Sequence, residues 1–171
     1  KRKHNLNNFM ETNLLIALKN IVKDPNNNLA SRYKSLNRMN SAGEALEFYV
    51  KDIFCGTLKE KSLSKKEKEY SKNFSYLGNQ NNPPDFMIKK GDAIEVKKHV
   101  GVRGSDLALN SSYPKDFLYS DSPMITGACR LAEKWQEKDL IYVIGVSTDG
   151  KLKALWFIYG NCYAANKETY E

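Results

Sequence analysis

The chain has 171 residues, 41% of them hydrophobic and 27% charged, the composition of one soluble globular domain with enough chain to bury a core. A formal charge of +7 favours polyanionic partners, nucleic acid first, while no apolar run reaches the length of a membrane span and no secretory segment is legible. The cysteines, Cys55, Cys129 and Cys162, are odd in number and far apart, which argues against a disulfide framework or a CxxC-type zinc site and for a reducing, cytoplasmic setting.

Residues 1–9 read as an N-terminal extension or tag remnant, ahead of a single domain over 10–171. Leu14, Leu15, Leu18, Ile21 and Val22 fall at helical spacing and predict a short amphipathic helix over 11–23. The polar, Asn-rich stretch 24–40 predicts a loop. Ser41, with Glu44 three residues later, forms a capping box. The helix it opens carries Ala42, Ala45, Leu46, Tyr49, Val50 and Ile53 on one stripe for packing against a core. Residues 59–72 are dense in both signs of charge and predict a solvated helix face.

From Phe74 the pattern turns to strands. Asn79 to Pro84 is a strong break, 86–88 a short strand, 89–92 a tight turn and 93–98 a second strand, with a candidate third at 107–109. Ser122, with Pro123 behind it, predicts a helix placing Met124, Ala128, Leu131 and Trp135 on one face. Residues 141–146 and 152–158 are apolar strands joined around Asp149-Gly150, a hairpin signal. Trp135, Trp156 and Cys129 sit on apolar patterns and predict core positions. Asn166 onward begins like a capped helix. The whole predicts an α/β domain with a mixed central β-sheet flanked by helices.

Asp85 stands at the start of one strand, behind a proline pair that fixes the entry of the backbone. Glu95 and Lys97 alternate on the next, so period-two geometry gives them one face. A hairpin between the strands brings Asp85 near Glu95. Two carboxylates and an ammonium then share a small volume, as phosphodiester hydrolysis requires. The carboxylates suit Mg2+, a hard cation with oxygen ligands. The ammonium can orient the attacking water or offset phosphate charge. Charged residues alternating with Val and Ile also describe any half-exposed strand.

Pro84-Asp85, nine intervening residues, then Glu95-Val96-Lys97 is similar to the PD-(D/E)xK nuclease signature. With it, the blocks Gly43-Glu44-Ala45-Leu46-Glu47, Phe74-Ser75-Tyr76-Leu77-Gly78-Asn79, Asn82-Pro83-Pro84-Asp85, Gly91 to Lys98 and Leu107 to Lys115 resemble the NgoPII-type type II restriction endonucleases, with likeness from about Met10 onward. The resemblance implies a PD-(D/E)xK restriction-endonuclease-like core and Mg2+-dependent cleavage of double-stranded DNA at a short palindrome, GGCC for the type member, by a homodimer. It also implies a chain that ends short of the family's C-terminus. Asp85, Glu95 and Lys97 match the catalytic motif position by position, with Asp85 and Glu95 as metal ligands. No membrane and no small-molecule cofactor are expected.

In this fold a fourth acidic residue often comes from the N-terminal helix. At 100° per residue Glu44 lies nearly opposite the apolar stripe, beside Lys51, and Glu47 lies on the flank where the helix edge can meet the sheet; Glu47 is the choice. For DNA contact the segment 97–115 is favoured, through Lys98, His99, Arg103, Asn110, Ser111, Ser112, Tyr113 and Lys115. His99 shares strand parity with Glu95 and Lys97, and its role stays open. A repair or recombination nuclease of the same fold and a non-cleaving DNA-binding module remain alternative readings.

Overall fold

A computed structural model of the chain describes residues 12–34, 42–79, 81–100 and 114–169. Helix α1 (Leu14–Lys23) starts where the Asn13 side chain accepts the Ile16 amide at 3.1 Å, and α2 (Leu29–Tyr33) where Asn28 accepts from Ser31 at 2.9 Å. Both are ordinary Asn caps. Helix α3 (Ala42–Cys55) and α4 (Leu63–Asn73) lead into β1 (Phe74–Leu77), β2 (Phe86–Ile88), β3 (Ala93–Val100) and β4 (Phe117–Tyr119). Then follow α5 (Gly127–Leu131), β5 (Glu137–Thr148), β6 (Lys151–Tyr159), the short α6 (Gly160–Tyr163) and a 3-10 turn at Lys167–Thr169.

The sheet runs β1-β2-β3-β5-β4, with β6 also paired to β5. Only β3 and β5 are parallel, from Ala93 opposite Leu140 to Val100 opposite Ser147; the other pairs are antiparallel. The result is the expected mixed sheet with helices around it, mostly antiparallel.

Strand alternation divides the core between the two faces. On one, Phe86, Ile88, Ile94, Ile141 and Val143 pack under Leu46, Val50, Ile53 and Phe54 of α3, with Ala17, Tyr33 and Tyr70 from the other N-terminal helices. Phe54 meets Phe86 edge-on at 5.9 Å between centroids, a favoured aromatic geometry. On the other face Met87, Ala93, Leu140, Tyr142 and Ile144 pack with Leu118, Ile125 and Cys129. Ala93 belongs to this second face, so Glu95 and Lys97, two and four residues on, share it.

Residues 59–72 do not all face water. Lys66 is buried against Asp52 of α3, which has no exposed surface. The Asp52 carboxylate also accepts the hydroxyls of Tyr33 at 2.8 Å, Thr57 at 2.5 Å and Tyr70 at 2.6 Å, and Lys66 lies 5.1 Å from the Tyr33 ring centroid. A charge can be buried here because every oxygen is satisfied and a counter-ion is present. The pair joins α2, α3 and α4.

Three further expectations are corrected. The loop at 24–40 contains α2, since Asn28 caps a turn that buries Leu29 and Tyr33. The helix expected from Ser122 is only α5, capped by Thr126 through the Cys129 amide at 3.0 Å. It stops early because β5 pairs with β4 from Glu137 and claims the chain for the sheet. Strand β4 itself has only three residues, too few for a legible alternation. Trp156 is 54% exposed instead of core, although Ile158, two residues on along the same face, packs against the second-face layer; Trp135 does pack against that layer. Ser41 and the candidate strand at 107–109 lie outside the described residues.

The β5–β6 hairpin closes as expected. Asp149 and Gly150 have φ of 51° and 72°, the left-handed pair that a tight hairpin turn requires. Its tip is held by α2: the Ala30 amide donates to the Gly150 carbonyl at 3.0 Å and the Leu152 amide to the Asn27 carbonyl at 2.8 Å.

Candidate active site

The β2–β3 pairing sets Phe86 opposite Ile94 and Met87 opposite Ala93. Continuing that register outward brings Asp85 to Glu95. Asp85 is locked there by the Val96 amide, which donates to its Oδ2 at 2.6 Å. Lys97 Nζ donates to Glu95 Oε1 at 2.8 Å, the contact expected of residues two apart on one face. Glu95 is 9% exposed, and its Oε2 is buried with no hydrogen-bond partner. Burial pushes the Asp85 pKa up to about 7, the Glu95 and Glu47 charges push the same way, and the Val96 amide and Lys97 oppose them.

Asp85 is also held from behind. The Gly78 amide donates to the Asp85 carbonyl at 2.6 Å, and a Cβ on Gly78 would stand only 2.6 Å from that oxygen and still closer to the Pro84 carbonyl. Only glycine permits so close a backbone approach. Gly78 is a positioning residue that motif reading does not single out; its signal is a glycine at the end of a strand pattern, just before the Asn-rich break. Gly78→Ala is expected to move Asp85, and any hydrolysis carried by this site should fall by about a hundredfold, the scale of a 1 Å misplacement. An unchanged rate with a normal thermal melt would refute this role.

Glu47 on α3 stands near enough for its charge to raise Asp85, and Lys51 pairs with it at 2.5 Å. Glu44, on the side of the helix expected to face solvent, is half-buried. Of the expected DNA-contact residues, His99 is half-buried and shares the face of Glu95 and Lys97 by parity. Lys98 pairs with Gly145, which lies under Leu46 of α3, so it belongs to the opposite face. Lys115 is 8% exposed, and its amide donates to the Tyr142 hydroxyl at 2.7 Å. It is placed inside, where a surface phosphate contact was expected, because β4 draws this segment onto the sheet. Arg103, Asn110, Ser111, Ser112 and Tyr113 lie outside the described residues.

Residues 12–171 match the NgoPII restriction endonuclease family. The chain belongs to that family. It is 48% identical over 161 residues to the type II restriction enzyme NgoPII of Neisseria gonorrhoeae, covering 92% of this chain and 56% of that protein. The chain thus spans little more than half the length of the curated relative. No solved structure matches it.

For a member of the NgoPII family the residues at Asp85 and Glu95 fit a divalent cation. Among the described residues no group of three or more His, Cys, Asp and Glu side chains is arranged to hold a metal. Mg2+, however, needs only one or two carboxylates and keeps several waters. The unpartnered Glu95 Oε2 and the crowded Asp85 carboxylate are groups that a cation would satisfy.

The same crowding makes a pH prediction for the metal-free protein. Asp85 titrates above the ordinary carboxylate range, so its contribution to stability is fully present below about pH 4 and is lost as pH rises through about 7. In EDTA, Asp85→Asn is expected to be the more stable protein at pH 8, by about 2 kcal/mol once partial exposure is allowed for. The two melts should converge toward pH 4. A difference that does not change with pH would contradict this origin.

Proposed function

We propose that the protein is a type II restriction endonuclease that hydrolyses phosphodiester bonds of double-stranded DNA at a short palindromic site, GGCC by resemblance, with Mg2+. The observation that supports it best is the convergence of Asp85, Glu95 and Lys97 on one sheet face, with a buried Glu95 oxygen left unpartnered. Net charge of +7 suits a phosphate polymer.

In the reaction a water oxygen forms a bond to phosphorus as the opposite P–O ester bond breaks, leaving a phosphomonoester and a hydroxyl. Asp85 and Glu95 would hold Mg2+, whose positive charge would stabilise the negative charge that develops on the phosphoryl oxygens and the attacking water. The Val96 amide keeps Asp85 aimed at that position, and Gly78 keeps its backbone in place. Lys97, fixed by Glu95, holds an ammonium where it can hydrogen-bond the water or a phosphoryl oxygen as negative charge develops. Glu47 adds a further carboxylate at the rim. A homodimer follows from the target: a two-fold enzyme sets one such site on each strand of a palindrome. A cytoplasmic location fits an enzyme that meets incoming DNA; no helix among the described residues is long and apolar enough to cross a membrane.

The test is plasmid digestion with Mg2+ and with EDTA. Discrete Mg2+-dependent fragments that map to GGCC are expected. A smear would favour a repair or recombination nuclease of the same fold, and intact plasmid bound without cutting would favour a DNA-binding module.

A further inference from the structure

Strand registers extend the catalytic face beyond β3. Lys97 lies opposite Ile144 of β5, and Ile144 lies opposite Trp156 of β6. Paired residues point to the same side of a sheet, and the packing agrees: Ile144 and Ile158 belong to the second-face cluster, while Leu155 and Phe157 pack toward α3. Lys97, Ile144 and Trp156 therefore form one row across three strands, with Trp156 two strand spacings from Lys97, about 10 Å. Trp156 is 54% exposed, although a large aromatic normally hides in a core or an interface. Lys151 and Lys153 are exposed on the same strand.

We infer that Trp156 is a contact residue for the DNA duplex, its indole lying against the sugar–phosphate backbone about three nucleotides from the bond that is cut. The reading rests on the proposed nuclease function and extends it. About 10 Å along a duplex is about three steps at 3.4 Å per nucleotide, so the ring falls at the border of a short recognition site. A flat indole covers the apolar face of deoxyribose, and its N–H can donate to a phosphate oxygen. A second copy of the chain is the less favoured occupant. Among the described residues of the sheet, Trp156 is the only large hydrophobic exposed on this face, whereas a stable dimer contact buries about 800 Å2 per partner.

The chain has two tryptophans, so the difference in fluorescence between the wild type and Trp156→Phe isolates this one. In EDTA, acrylamide quenching is measured with and without a duplex carrying a central GGCC, and anisotropy of the labelled duplex reports binding. The duplex is expected to shield Trp156. Trp156→Ala should weaken binding about tenfold, while Trp156→Phe, which keeps a ring, should lose much less. Duplex binding that leaves Trp156 as open to acrylamide as before would overturn the inference and leave the nuclease reading standing. Absence of any duplex binding would overturn both. Shielding that grows with protein concentration in the absence of DNA would replace the duplex with a second copy of the chain.

Discussion

Lys97→Ala is expected to lower duplex cleavage about 10²- to 10³-fold, the usual cost of losing one group that stabilises developing charge, with metal-free duplex binding nearly unchanged. Lys97 is the cation that faces Glu95, 2.8 Å from its Oε1, and it opposes the upward push on Asp85. Its loss removes the donor to the phosphate or water and leaves both Glu95 oxygens without a side-chain partner. Lys97→Arg should not rescue the rate, because a planar fork does not replace a compact ammonium at one position. Single-turnover cleavage and duplex anisotropy separate the two effects. A variant that cuts normally would remove Lys97 from the site; one that fails to bind would make it a binding residue instead.

The second large effect is on folding. Lys66→Met is expected to destabilise the protein by about 3–5 kcal/mol, since it strands the Asp52 charge in the interior. Against a total stability of about 5–15 kcal/mol, that is a large share. Tyr33, Thr57 and Tyr70 still hydrogen-bond the carboxylate, but none supplies a positive charge. The pKa values of both tyrosines are driven up by burial and by Asp52, so both stay neutral hydroxyls beside the carboxylate. Asp52→Asn combined with Lys66→Met should recover part of the loss, because no net charge remains buried. Urea unfolding of the single and double variants gives the coupling energy. Additive losses would show that the two residues act separately.

Lys66 also shows where local pattern stops. Leu63, Lys66 and Tyr70 recur at i, i+3 and i+7, which marks a helix stripe, but composition makes the whole run look solvated. What buries the lysine is Asp52, fourteen residues earlier on another helix, and no local window contains that partner. Trp156 fails in the opposite direction: its strand pattern is apolar, yet the layer that reaches Ile158 leaves Trp156 exposed. Asp85, Glu95 and Lys97 were legible because a short turn and strand parity determine their meeting. Their control by Gly78 was not, since it depends on β1 lying against β2. The choice of Glu47 over Glu44 rested on helix geometry, and the Glu47 charge does reach Asp85.

The joint between α2 and the tip of the β5–β6 hairpin has a consequence for the order of folding. The Asn27 side chain donates to the Leu152 carbonyl at 2.9 Å across 125 residues of sequence, beside the two backbone bonds at the same tip. A loop of that length closes only at an entropic cost, and its two partners leave the ribosome 125 residues apart. Helix α2 therefore cannot take its final seat until the β5–β6 hairpin has been made. Local helices and the β2–β3 hairpin can form early, so Asp85 and Glu95 meet before α2 is clamped to the hairpin tip. Amide exchange during refolding should accordingly protect Val96 before Ala30.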